Sequence, residues 1–328
     1  MSELALAMFA AACELHATDR ERGSRRFSSF AESFDEVSHV RQLQAAGLRW
    51  LARSDPAFPP RLGSIHDPPP GLFVRGWADY QLLTQPAVAI VGARSCTDYG
   101  AHVARSLARE LAGAGVVVIS GLARGIDGWA HRGSLEPAGV TVAVLGCGID
   151  RDYPRAHAAL AAQIADRGLI VSEYPPGVSP APWRFPARNR IVAGLALATV
   201  VVEARERSGA LITADLALEE GREVLAVPGE ITSALSRGTN GLIRLGATPV
   251  TCADDVLEAI GIERPPVTPE DVPPGTAAGS VLAALDAGAT TADEVARATR
   301  LASSAVSAAL IELELAGLVE VRAGIYRR

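Results

Sequence analysis

Several short segments of the chain combine Gly, Ser and Arg in ways that suit an anion. Val91 runs into Gly92-Ala93-Arg94-Ser95, after which Asp98-Tyr99-Gly100 opens a helix. Glycine permits a tight turn, and the backbone N–H groups at a helix N-terminus attract negative charge. Arg94 would add a guanidinium that grips phosphate in a bidentate manner. The pattern is not G-x-G-x-x-G, because Ala93-Arg94 removes the clearance that the second glycine gives a pyrophosphate. An external phosphate is the ligand this argues for; a simple turn is the other reading. Similar turns carry Arg124 (Gly121–Gly125), Ser208-Gly209 ahead of a helix, and Arg237 (Ser236–Gly241). The most informative segment is Phe185-Pro186-Ala187-Arg188-Asn189-Arg190. An aromatic followed by two Arg flanking Asn supplies a stacking face for a base and guanidiniums for phosphates, the ingredients of a single-strand site. A helix N-terminus with Phe185 in the core accounts for the same residues.

Catalytic constellations are weaker. Ser120, Asp127 and His131 could be recruited as a triad, with Asp127 and His131 four apart on one helix and able to hydrogen-bond. Ser120 is not in a G-x-S-x-G elbow, however, and such a helical pair is more often structural. Cys147 between Gly146 and Gly148 has no neighbouring His and reads as a small buried cysteine. The four cysteines (Cys13, Cys96, Cys147, Cys252) form no CxxC pair and no metal-ligand spacing. Reduced thiols in a cytoplasmic protein without a metal are the expectation.

The elements that must position these residues follow from hydrophobic patterning. Short apolar runs are expected as strands at Val88–Val91, Val116–Ser120, Thr141–Leu145, Leu169–Glu173, Thr199–Glu203, Glu223–Val227 and Pro249–Cys252. Helical segments such as Tyr99–Ala112, Gly128–Glu136, His157–Asp166 and Leu211–Glu220 alternate with them. Apolar strands alternating with helices imply an α/β fold: a Rossmann-like, doubly wound, mostly parallel sheet covered on both faces. Its ligand belongs at the carboxyl ends of the strands. Residues 1–80 read as a small helical domain, with helical rhythm at Leu4–Leu15 and Val40–Leu51, then an extended, proline-clamped connector ending near Gly76. The core spans 81–260. Residues 261–278, with five prolines, read as a linker. Three helices (Ser280–Leu285, Thr291–Ala298, Ser303–Leu315) and a Val319–Tyr326 hairpin-like tail give a winged-helix pattern over 279–328. Thr291 and Ser303 both offer N-cap chemistry.

Of 328 residues, 48% are hydrophobic, enough for a large core, and a disordered chain is excluded. The longest mostly apolar run, Ile191–Val202, is too short for a bilayer span of about 20 residues. Leu4–Cys13 follows Glu3 rather than a cation, so it reads as an ordinary helix and not as a secretory signal. All 31 basic residues are Arg, and the net charge is −6. No global positive field announces a nucleic-acid partner. Residues 89–260 hold 16 Arg against 18 acids, so a positive pocket must arise from placement.

In order, Val91–Arg94, Ser120–His131, Leu145–Gly148 with Tyr153-Pro154, Ser172–Gly177, Phe185–Leu195, Val202–Thr213, and Ala226–Gly229 with Ser236–Ile243 resemble the DNA-processing protein A (DprA/Smf) family over nearly all of residues 85–250. Pro56–Gly76 is similar to that family's lead-in to its core. His157 departs from the pattern, which usually has Asn there, so that turn's hydrogen bonding is expected to differ. The resemblance implies a single-stranded DNA-binding protein of natural transformation that dimerises, shields incoming strands and helps load the RecA recombinase. It implies no catalytic activity and no bound nucleotide or cofactor. It also implies a SAM-like helical N-terminal domain and a winged-helix C-terminal domain. By motif match, Gly92, Ala93 and Arg94 would hold a backbone phosphate. Phe185, Arg188 and Arg190 would line the strand's path, with Ser208 and Gly209 nearby. Arg124, Asn189 and Arg237 complete the expected site.

The helix Ser303–Leu315 contains Glu312 and Glu314 but no Arg, whereas a groove reader presents Arg, Lys, Asn or Gln. Only Arg322, Arg327 and Arg328 on the tail are placed to touch phosphates. A protein contact or an accessory DNA role is therefore expected of this domain. Two rival functions are weaker. A Rossmann-like nucleotide phosphoribohydrolase (the LOG class) needs P-G-G-x-G-T-x-x-E, and Pro228-Gly229-Glu230 breaks it. A winged-helix transcription regulator needs a basic recognition helix.

Overall fold

The computed structural model describes residues 2–15, 24–136, 139–263, 273–322 and 324–327. Its centre is a nine-stranded sheet: β1 Arg49–Ala52, β2 Gly71–Arg75, β3 Ala87–Val91, β4 Val117–Ser120, β5 Thr141–Leu145, β6 Leu169–Ser172, β7 Ala198–Val201, β8 Glu223–Ala226 and β9 Thr248–Pro249. The strands lie in the order β1-β2-β6-β5-β4-β3-β7-β8-β9. From β3 to β6 the chain winds one way. It then crosses back to lay β7 on the other side of β3, so the order reverses there. That reversal opens a crevice at the carboxyl ends of β3, β4 and β7.

All pairs from β6 through β9 are parallel. Val88 and Ile90 of β3 pack with Ala104, Leu107 and Leu111 of the helix Asp98–Gly113 on one face. Ala89 and Val91 pack with Ile191, Val192 and Leu195 of the helix Arg184–Leu195 on the other. Burial on both faces is why these strands read as unbroken apolar runs rather than alternating ones.

The expected extended connector is corrected. Residues 49–52 and 71–75 form β1 and β2, which pair antiparallel with each other, and β2 pairs antiparallel with β6. The helical reading of Val40–Leu51 is corrected too: that helix ends at Ala45, and Arg49 begins β1. The helices Glu3–Ala12 and Glu36–Ala45 pack Leu4, Ala7 and Leu43 against Phe73, Leu145 and Ile170. These apolar contacts join the N-terminal helices to the sheet, and residues 1–263 form one compact unit.

The C-terminal unit has its own core of Val281, Leu282, Val295, Val306, Leu310 and Leu313. It comprises the helices Ala277–Asp286, Ala292–Thr299 and Ser303–Leu315 and the antiparallel hairpin β10 Glu320–Arg322 with β11 Ile325–Arg327, a winged-helix arrangement. Thr291 caps as expected, in a capping box with Glu294. Ser303 does not: Ala302 is the N-cap and has no side-chain acceptor for the helix N–H groups, leaving Ser303 inside the helix. Of the proline-rich stretch, residues 264–272 lie outside the described residues, as does Arg328. No helix among the described residues is long and apolar enough to cross a membrane.

Candidate nucleic-acid interface

A cleft of about 500 Å³ occupies the crevice where the strand order reverses. Gly92, Ala93 and Arg94 line it from the end of β3, Gly121, Ala123 and Asp127 from the end of β4, and Ser208 and Gly209 from beyond β7. Phe185, Arg188, Asn189 and Val192 come from one helix at spacings of three and four, which puts them on a single face. Residues distant in sequence thus meet at one site.

The aromatic wall of the cleft is a stacked pair. The rings of Tyr153 and Phe185 lie 5.4 Å apart at 27°, and the Arg94 guanidinium carbon sits 5.3 Å from the Phe185 centroid. Gly146 makes room for this arrangement, since a Cβ there would lie 2.9 Å from Phe185 Cδ1. A cation over an aromatic face that opens on solvent offers a phosphate partner beside a stacking platform. Tyr153 was not singled out from the sequence. It stands 32 residues before Phe185, and only the turn after β5 brings the two rings together.

The two helix N-termini at the crevice differ. At the expected anion site before Asp98–Gly113, Glu203 occupies the N-cap residue Thr97. Its carboxylate accepts from Thr97 N (2.9 Å) and Thr97 Oγ (2.5 Å), and its backbone oxygen accepts from Ala93 N (2.7 Å). Gly100 leaves space for that carboxylate. Glu203 thus takes up two of the N–H groups at this turn, those of Ala93 and Thr97, while the turn lines the cleft with Gly92, Ala93 and Arg94. The helix Gly209–Glu219, by contrast, has no side-chain cap, and Ser208 Oγ is buried without a partner. Its open N-terminus faces the cleft.

Arg188 forms the floor. Its Nη1 donates to the carbonyls of Gly121 (2.9 Å) and Val144, and Nε donates to Asn189 Oδ1 at 3.3 Å. No carboxylate of the described residues forms an ion pair with it. Burial lowers its pKa, and the nearby Asp127 opposes that shift. Asp127 accepts from Gly121 N (3.1 Å) and Ala123 N (3.3 Å), which fixes the loop after β4. Burial pushes the Asp127 carboxyl up, and Arg188 draws it back. Asn189 Nδ2 donates to Gly209 O at 3.2 Å, tying the two cleft helices together. His157 settles the turn where the pattern departs. Its Nδ1 contacts Leu122 O at 3.0 Å and so holds the same loop after β4.

Three expected residues are not in the cleft. Arg190 is corrected to a core ion pair, with Nη1 and Nη2 donating to Glu173 at 3.0 and 2.7 Å and Nε to Asp67 at 3.1 Å. Arg124 is exposed on the loop after β4, outside the lining. Arg237 lines a neighbouring groove instead. The weighed triad does not assemble: Ser120 Oγ donates to Ile90 O (2.6 Å) and lies beside Asp127, but His131 Nδ1 contacts Thr141 Oγ1 (2.8 Å) rather than Asp127. Burial raises Cys147 to about 11, so its thiol stays protonated.

Comparison with known proteins agrees with this architecture. The family model described as DNA recombination-mediator protein A matches residues 49–261, and that described as the DprA winged helix domain matches 263–324. Protein Smf of Escherichia coli is 39% identical over 319 residues, covering 94% of this chain and 84% of that protein. The X-ray structure of DNA processing protein A from Streptococcus pneumoniae aligns with a TM-score of 0.67 at 38% identity, over 78% of this chain and 92% of that one. DNA processing protein A from Helicobacter pylori aligns with a TM-score of 0.57 at 33% identity, over 62% and 92%, in a structure described by its single-stranded DNA binding mode. A sheet reversing beside an Arg-lined cleft, a winged helix and both family models lead to one assignment: the chain belongs to the DNA-processing protein A (DprA/Smf) family.

Proposed function

We propose that this protein binds single-stranded DNA in the cleft at the ends of β3, β4 and β7, and acts by holding the strand rather than by breaking bonds. The observation that carries this reading is the Arg94 guanidinium over the Phe185 ring, itself stacked on Tyr153. A phosphate on Arg94 leaves its base beside an aromatic face. The open N-terminus at Gly209 and the Arg188 cation add positive potential to the same space. A duplex, whose bases are stacked inside, cannot use the ring in this way. The single-strand binding described for the Helicobacter pylori relative supports the same ligand. In the cell, the protein would shield incoming strands as a cytoplasmic homodimer and help load the RecA recombinase onto them during natural transformation.

The test is fluorescence anisotropy with labelled oligo-dT across a salt series. Log affinity should fall with log salt at a slope of about −0.7 per phosphate contacted. Arg94→Ala should weaken binding and flatten that slope by about 0.7. Absence of binding at low salt, or binding indifferent to Arg94, overturns the proposal. RecA delivery is read separately, as faster filament nucleation on a strand already coated with this protein.

A further inference from the structure

We propose that the bound strand leaves the cleft over Ser208-Gly209 and continues into a second groove, where Arg207, Arg237 and Arg244 take its next phosphates. The inference rests on the single-strand reading above and extends it to a defined path. A groove of about 580 Å³ lies beyond the cleft, and Ser208 and Gly209 line both, so the two adjoin at these residues. Arg207, Arg237 and Arg244 line it and are exposed. None of the three makes an ion pair or hydrogen bond among the described residues. That sets them apart from Arg188 and Arg190, whose guanidiniums are committed inside the fold.

The other lining residues suit the same ligand. Ile212 is 41% exposed and Leu245 84%, which gives an apolar wall beside the cations. Unstacked bases need such a surface, and a duplex does not offer them to it. Glu206 and Asp215 line the groove as well, so three cations face two carboxylates. The grip therefore depends on where each Arg sits rather than on a broad positive field. Two chain segments build the groove, the loop after β7 with its helix and the helix Arg237–Arg244. Gly238 lets them meet, since a Cβ there would lie 2.7 Å from Ala204 O.

The experiment compares short and long strands, oligo-dT of about 5 and about 20 nucleotides, one near the lower end of the ~4–16-nucleotide sites of single-strand binders and one beyond the upper end. The proteins are wild type, the triple variant Arg207→Ala/Arg237→Ala/Arg244→Ala, and Arg94→Ala. The triple variant changes exposed side chains only, and its fold is checked by thermal melting. It is expected to bind the short strand as wild type does. On the long strand its salt slope should flatten by about 2, at about 0.7 per lost phosphate contact. An unchanged long-strand slope in the triple variant, with Arg94→Ala still defective, overturns the second groove and leaves the cleft standing. Indifference of both variants overturns the cleft reading itself. A changed sedimentation mass with an unchanged slope assigns the groove to a contact between copies of the chain, which also overturns the proposal.

Discussion

Arg188 and Arg190 stand two residues apart on one helix, and their guanidiniums go to opposite sides of it. Arg188 turns to the carbonyls of Gly121 and Val144 at the cleft floor, while Arg190 turns away to Glu173 and Asp67. At 3.6 residues per turn, a step of two rotates a side chain by about 200°. Two arginines that look equivalent in sequence thus have unlike duties.

Stability should separate them. Both Arg190 and Glu173 are buried, and removing the cation strands a carboxylate in the core. Arg190→Ala should lose about 3–5 kcal/mol in urea unfolding. The fraction still folded should bind oligo-dT within about twofold of wild type. A variant with wild-type stability and lost DNA binding would return Arg190 to the strand's path.

Stacking should carry a measurable share of affinity. The Phe185 ring lies beside Tyr153 and Arg94 in the cleft wall. Truncation to Ala should cost about 1–3 kcal/mol of binding, the range for one stacked base. Phe185→Trp keeps a π-face and should retain most of the affinity. Equal anisotropy curves for Phe185→Ala and wild type would show that the ring serves only the fold.

Two glycines at the cleft should respond differently to the same change. An added Cβ at Gly121 would collide with the Arg188 guanidinium, whereas at Gly209 it would meet nothing within 4 Å. Gly121→Ala should therefore displace the cleft floor and weaken oligo-dT binding severalfold. Gly209→Ala should fold and bind as wild type does, within about twofold. Reversal of that order in a titration of both variants would refute the geometry of the floor.

What was legible in the sequence follows from how each feature is encoded. β3 to β8 are continuous apolar runs, because both faces of the sheet are covered. β1 and β2 were hidden. Gly71–Arg75 follows three prolines, and its pairing with β6 is antiparallel and about a hundred residues distant. The cleft face Phe185–Arg188–Asn189–Val192 obeys helical spacing, and the same spacing would have excluded Arg190. Glu203 was missed as the occupant of the Thr97 N-terminus because the two are joined only by the β3–β7 pairing. Tyr153 was quoted as part of a motif, but its stacking partner comes from another element. Local rules reached the strands and turns. Long-range contacts decided which turn was open and which arginine was free.

The last prediction concerns His131, fully buried with Nδ1 on Thr141 and Nε2 without a partner. Burial lowers its pKa from 6.5 to about 3, with His157, Arg132 and Arg188 adding to the shift. Its folded value lies below its unfolded one, so below pH 6.5 the unfolded chain takes up a proton that the native state refuses. Stability from this group is intact above pH 6.5 and falls as pH drops toward 3, at up to about 1.4 kcal/mol per unit. Between pH 7 and pH 5 the loss should reach about 2 kcal/mol. His131→Asn can keep a hydrogen bond to Thr141 but does not titrate. Its absolute stability will shift, so the comparison is of slopes: unfolding free energy against pH should be flatter in the variant by about 2 kcal/mol over that interval. Parallel slopes for the two proteins would mean that His131 is protonated in the native state and that its cavity holds charge.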